Sequence, residues 1–299
     1  METMSCILCG GEEKSPVHEL AGYRYERCTG CGLVSLHPMP EFAALMDIYA
    51  GSGELAADPT ADPTGEEILF IERFRKELDR IEEHAHAGRI LDIGSAWGFF
   101  LSVCREKGWD AWGVEPARTE SEYARRRFAL PVLTGTLADA RFPSGSFDVV
   151  TLWHVLEHLP DPVSELAEIR RVLKPGGLLV ISVPTARSVK DFDYGPVPLH
   201  CWYFERKTLS ALVEREGFRV LRTVGAGGTG AVQTLRKLGV CNPGQTLVHN
   251  YRILSPLRNA ARTVFRWIGP IRLVLQLQNR RSLRHRGRRG IDRIDLAAI

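Results

Sequence analysis

The chain has 299 residues, 44% of them hydrophobic and 25% charged, with a formal net charge of +3. Its length exceeds the roughly 100–200 residues of one domain, so a full α/β domain with a smaller appendage is expected. No run of about 18 apolar residues can serve as a membrane span, and the start METMSCILCGGEEKS lacks the basic and apolar segments of a secretory signal, which predicts a cytoplasmic location.

In chain order, the first expected element is a module over residues 1–40, made of short strands and turns around four of the seven cysteines. Cys6 and Cys9 form one Cys-x-x-Cys-Gly knuckle, and Cys28 and Cys31 form another 18 residues on. That spacing suits four thiolates around a tetrahedral structural zinc. A redox dithiol pair matches the two glycine-followed knuckles less well, and a catalytic zinc needs an open position that four cysteines do not leave. So small a module has too little core to fold unaided, and metal binding would supply much of its stability.

A linker over 41–87 follows. Within it Ile71, Phe74, Leu78 and Ile81 recur at spacings of three and four, the signature of one helical face. From Arg89 the pattern alternates between strands, at 89–93, 110–114, 131–134, 147–152, 178–183 and 218–224, and helices, at 98–107, 118–127, 163–173 and 206–216. This alternation predicts a mostly parallel sheet covered on both faces, over 88–299. A final strand is expected at 292–299, which makes 225–290 an insertion between the last two strands.

The stretch from Arg89 to Leu101 joins an apolar strand to an apolar helix through Gly94 and Gly98. Such a turn lets a ligand approach the backbone beside a helix N-terminus, although a tight strand-to-helix connection alone also explains it. Glu115 ends the next strand, where a carboxylate can accept both hydroxyl hydrogens of a ribose. A nicotinamide dinucleotide enzyme would carry G-x-G-x-x-G, which this turn does not.

These motifs, with Gly135-Thr136-Leu137, the segment from Phe147 to Leu159 and Leu173-Lys-Pro-Gly-Gly, resemble the class I S-adenosylmethionine-dependent methyltransferases over residues 89–184. The resemblance implies a Rossmann-like seven-stranded sheet. It also implies that Asp92, Gly94 and Gly98 wrap the methionine part of the cofactor and that Glu115 holds the ribose. Ser95, Pro116, Thr136, Leu137 and Trp153 would complete the cofactor site, with Thr136 at the place of the adenine contact. Ala96 stands where the family has its middle glycine. With the cysteine knuckles, Pro38-x-Pro40 and a His before an aromatic pair, the chain resembles a bacterial group associated with glycan, cell-envelope or natural-product pathways.

Beyond the fourth strand lie His154, Glu157 and His158, which share one face if a helix starts near His154. His200 follows a loop rich in Gly, Pro and Tyr. One reading makes His158 the base for an acceptor hydroxyl, with His154, Glu157 and His200 orienting it. A second places a divalent metal on these four residues, similar to the arrangement of small-RNA 2′-O-methyltransferases. A third leaves Glu157 and His158 locking the local backbone. Trp153, Trp202 and Tyr203 serve either as acceptor-pocket walls or as core.

Between Glu216 and Asp292 there are fourteen arginines, one lysine and no acidic residue. Leu254, Leu257, Ala261, Val264, Phe265 and Ile268 mark one helical face there, and Arg258, Arg262 and Arg266 another. Residues 251–290 therefore offer three readings: packing on the catalytic domain with solvated arginines, lying on an anionic membrane surface, or contacting RNA phosphates. The expected activity is O-methylation of a glycan, lipid-linked or small secondary-metabolite hydroxyl. The alternatives are an RNA methyltransferase and a non-catalytic cofactor-binding protein.

Overall fold

The computed structural model describes residues 5–51, 64–184, 200–224 and 271–277. The N-terminal residues form β1 (Lys14–Leu20), β2 (Tyr23–Cys28) and β3 (Val34–His37), an antiparallel meander. Tyr25, Val34 and Leu36 pack together on one face of this sheet. Helices α1 (Phe42–Gly51) and α2 (Thr64–Glu82) follow, and α2 sends Leu78 and Ile81 into the core of the following domain, as their periodicity predicts.

The main domain then runs β4 (Arg89–Ile93), α3 (Phe99–Glu106), β5 (Asp110–Glu115), α4 (Arg118–Phe128), β6 (Val132–Thr134), α5 (Leu137–Ala140) and β7 (Phe147–Trp153). A 3-10 turn (Leu156–His158), α6 (Pro162–Val172), β8 (Leu173–Val183), β9 (Trp202–Tyr203), α7 (Arg206–Arg215), β10 (Phe218–Val224) and β11 (Ile271–Leu277) complete it. The sheet order is β10-β11-β8-β7-β4-β5-β6. Strands β8, β7, β4, β5 and β6 run parallel, and β11 and β10 are antiparallel additions at one edge. Leu91, Ile93, Val150, Leu152, Leu179 and Ile181 bury one face of this sheet; Ile90, Val149, Leu178 and Val180 bury the other. A parallel sheet covered on both sides requires such near-continuous apolar strands.

Two expectations are corrected here. The strand beside β10 is Ile271–Leu277, inside the segment read as an insertion, so the connection from β10 to β11 is 225–270. Its I-R-L-V-L-Q-L pattern supplies the apolar residues that suit a strand paired on both sides, despite the surrounding arginines. The expected strand at 292–299, the amphipathic faces of residues 254–268 and the arginine cluster of 280–289 lie outside the described residues. The second correction concerns His154, which adopts a left-handed conformation with φ +58°, so the helix expected from it is only the 3-10 turn that follows.

Strand β9 joins the N-terminal sheet, whose order is β1-β2-β3-β9. The cysteine module is thus completed by residues far downstream. Among the described residues no helix is long and apolar enough to cross a membrane.

Candidate active site

The carboxyl ends of β4, β5 and β7 gather the residues expected to hold the cofactor. Gly94 has φ +68°, and a Cβ there would lie 2.5 Å from Val155 Cγ2, so the loop packs directly on the segment carrying His154 and Glu157. Gly98, at φ +78°, is pressed against α4, where a Cβ would stand 2.8 Å from Ala124 Cβ. Ala96 takes φ +44° without being glycine, in the left-handed region, and is exposed.

Glu115 fastens this loop. Its Oε2 accepts from the Ala96 N–H at 2.8 Å and its Oε1 from the Ala117 N–H at 2.8 Å, leaving further lone pairs on both oxygens. Burial pushes its carboxyl up to about 7 even though the two N–H groups favour the anion. Asp92, buried beneath the loop, accepts from Thr151 Oγ1 at 2.6 Å. Burial raises its carboxyl to about 8, against the hydroxyl's pull and with a smaller upward push from Glu115. Ser95 Oγ is buried with no hydrogen-bond partner among the described residues. Two carboxyls starved of positive charge and an orphaned hydroxyl are what a polar, cationic ligand would satisfy. This donor set fits S-adenosylmethionine, whose ammonium and sulfonium carry that charge.

The remaining cofactor candidates divide. Gly135 N–H donates to the Glu115 carbonyl at 3.0 Å, which brings Thr136 and Leu137 beside the end of β5. The Thr136 hydroxyl is engaged in capping α5, donating to Asp139 Oδ2 at 2.6 Å, and Leu137 is buried in the core, so neither side chain is free for an adenine. Pro116 is half-buried next to Glu115. Trp153 packs against Phe74 and Phe100, at centroid distances of 5.7 and 5.1 Å, with its indole N–H buried and without a partner among the described residues.

Past β7 the chain turns sharply and buries Glu157, which is 1% exposed. Three imidazoles surround it. His154 Nδ1 lies 3.6 Å and His158 Nε2 3.9 Å from its Oε1, too far for hydrogen bonds. The His158 and His200 rings meet edge-on with centroids 4.7 Å apart. Burial opposes ionisation of Glu157, but His154, His158 and His200 outweigh it and hold the carboxyl below its ordinary value. Neither of its oxygens has a hydrogen-bond partner among the described residues. Ligand atoms of Glu157, His158 and His200 all lie within 4.8 Å of one another. His200 is depressed to about 3 by burial and by the neighbouring His158, so it is neutral at physiological pH. Trp202 and Tyr203 are buried in the core at 3% and 4% exposure.

The four cysteines converge as their spacing predicts. Cys6 and Cys31 approach to 3.5 Å between sulfurs, as do Cys9 and Cys28, and all four sulfurs lie within 4.8 Å of one another. Thiolates about 2.3 Å from a tetrahedral zinc stand about 3.8 Å apart, so the donor set and its dimensions fit. Burial resists ionisation of Cys28, yet the N–H groups of Cys31 and Gly30 and the Cys9 thiol bring it down to about 7.

Sequence reasoning missed three contributors: Val155 against the glycine loop, Thr151 on Asp92, and Tyr25, whose hydroxyl donates to the His200 carbonyl at 3.2 Å. Each acts across long sequence separation, and no local signal announces such a contact.

A family model described as a methyltransferase domain matches residues 66–223. A protein of Mycolicibacterium smegmatis, named a probable S-adenosylmethionine-dependent methyltransferase, is 28% identical over 174 residues, covering 57% of this chain and 67% of its own. A ubiquinone biosynthesis O-methyltransferase of Idiomarina loihiensis is 32% identical over 148 residues, 46% of this chain and 59% of its own. The chain thus spans about half to two thirds of the curated relatives it matches. The crystal structure of a SAM dependent methyltransferase from Archaeoglobus fulgidus, 18% identical, aligns with a TM-score of 0.50 over 79% of this chain and 100% of that one, a likeness of fold.

Proposed function

The chain belongs to the methyltransferase domain family and carries an S-adenosylmethionine-dependent methyltransferase domain, and from that premise we propose that it methylates a hydroxyl of a glycan, lipid-linked or small secondary-metabolite acceptor, with His158 as the base. The carrying observation is Glu157, a buried carboxylate faced by His154, His158 and His200 and set directly behind the cofactor loop. The relatives named ubiquinone biosynthesis O-methyltransferase support an oxygen acceptor.

The cofactor, when bound, supplies a methyl group on a positively charged sulfur. Asp92, Ser95 and the Gly94–Gly98 loop would hold its methionine part, and Glu115 would take the ribose hydroxyls. Methyl transfer is an in-line displacement, so the protein's task is to align the acceptor oxygen and receive its proton. His158 suits that task because the imidazolium formed would face the Glu157 carboxylate 3.9 Å away. His200, neutral and poor at accepting a proton, orients the acceptor as a hydrogen-bond partner. Cys6, Cys9, Cys28 and Cys31 would hold a structural zinc, and four thiolates would leave it no position for substrate chemistry.

His158→Gln tests the assignment. Affinity for S-adenosylhomocysteine should stay within about twofold, while transfer to an identified acceptor falls about 10²–10⁴-fold, the worth of a positioned base. Retained turnover moves the base to His154.

The orphaned oxygens of Glu157 favour one second reading, in which Glu157, His158 and His200, with His154 beside them, hold a divalent cation that grips acceptor oxygens. Calorimetric titration of the zinc-loaded protein with Mn²⁺ decides between the readings. Micromolar binding that Glu157→Gln abolishes supports the cation, and its absence leaves the base. An RNA acceptor is the remaining alternative, supported by the arginines of 251–290. RNA affinity falling steeply with salt is its test.

A further inference from the structure

The two-residue strand β9 has one partner in the sheet, β3, with Val34 opposite Tyr203 and Ser35 opposite Trp202. The Leu36 N–H donates to the Cys201 carbonyl at 2.9 Å. From β2, the fully buried Tyr25 donates its hydroxyl to the His200 carbonyl and sets its ring edge-on to Tyr203 at 5.2 Å, while Tyr203 in turn meets the His200 ring at 5.4 Å. On its other side the same segment clasps the histidine turn. Cys201 N–H donates to the Glu157 carbonyl at 2.8 Å, and Trp202 Nε1 to the Leu159 carbonyl at 2.7 Å.

The cysteine cluster is continuous with the strands that make these contacts. Cys28 ends β2 and accepts the Gly32 N–H at 2.9 Å, and its own N–H donates to the Leu33 carbonyl at 2.9 Å, just before β3 begins. Arg27 binds the Gly32 carbonyl at 3.1 Å and Glu205 at 3.2 Å, and Arg215 of α7 donates to the carbonyls of Ile7 and Leu8 in the first knuckle. A strand of two residues has no stability of its own, so its order is borrowed from the sheet that receives it. The small sheet, in turn, needs a cross-link to hold its shape.

We propose that the four-cysteine module is the positioning element of the acceptor site: metal on Cys6, Cys9, Cys28 and Cys31 fixes β2 and β3, and Tyr25 and Leu36 on those strands hold His200 and Cys201 against the Glu157–His158 turn. Tyr25 is the positioning residue, acting through His200. The functional meaning rests on the reading that these histidines face the acceptor, but the coupling is a physical property testable without any acceptor.

The test is hydrogen exchange by mass spectrometry on the full chain in three forms: metal-loaded, metal-stripped by chelation, and metal-loaded Tyr25→Phe. Calorimetric affinity for S-adenosylhomocysteine is measured on each. Chelation should speed exchange in 23–37 and in 200–205 together, by tenfold or more beyond any change in 89–115, while ligand affinity changes less than twofold. Tyr25→Phe, losing one buried hydrogen bond, should speed exchange in 200–205 about fivefold with 89–115 unchanged. The proposal is overturned if 200–205 stays protected while 23–37 opens, if Tyr25→Phe leaves 200–205 unchanged, or if 89–115 loosens equally. Retained turnover in His158→Gln would remove the base assignment and leave this coupling standing, so the two claims fail separately.

Discussion

Glu115 and Asp92 are carboxylic acids in a place that favours their neutral forms, and this has a measurable consequence. Burial raises Glu115 to about 7 and Asp92 to about 8, above their ordinary values. With folded values above unfolded ones, each contributes stability that is complete below its ordinary value and lost as pH rises through the folded value. The ligand-free protein should therefore lose stability as pH rises from 3.8 to about 8. Ribose hydroxyls are bound by a carboxylate, so S-adenosylhomocysteine affinity should rise up to about tenfold per unit below pH 7 and level off above it. Calorimetry from pH 5.5 to 8.5 checks this, and a flat profile would take Glu115 off the ribose. Glu115→Gln should weaken binding by about 1.5–3 kcal/mol and flatten the profile. At this scale the sequence marked Asp92, Glu115 and the three histidines by residue type and position. It did not reveal that Thr136 spends its hydroxyl on a helix cap, because Thr136 and Asp139 form a capping box legible only once α5 is placed.

Among the elements, the β4–α3 turn carries tight steric constraints. Gly98 combines φ +78° with a missing Cβ that would stand 2.8 Å from Ala124 and 2.9 Å from Leu130. Gly98→Ala should cost about 1–3 kcal/mol through overpacking, lowering Tm by several degrees in thermal unfolding. An unchanged Tm would mean that α4 can retreat at little cost. Elements with many residues per period were readable: α2, α3, α4, α6 and α7 and the parallel strands lie close to where their apolar patterns put them. Short elements were not. Strand β9 has too few residues for any periodicity, and α5 has a single turn. Strand β11 does alternate, as Arg272 and Gln276 against apolar neighbours, but its setting among arginines masked it.

For the whole molecule, the cysteine module and the methyltransferase domain share a sheet, so metal and catalytic-domain stability are linked. One zinc per chain is expected by elemental analysis, and its removal should lower Tm by about 10 °C, since each kcal/mol moves Tm by a few degrees and a structural zinc contributes several. Zinc-free protein melting at the same temperature would contradict a structural role. Local pattern alone determined the alternating α/β domain, the glycine loop with its carboxylate and the four-thiol cluster, because each is written in residues close together or at fixed spacing. Only tertiary structure decided that Trp202 and Tyr203 complete the N-terminal sheet, that Tyr25 holds His200, and that Glu157 is buried among three histidines. Those pairings join segments far apart in the chain, where the free energy comes from burial and shared hydrogen bonds that no local pattern encodes.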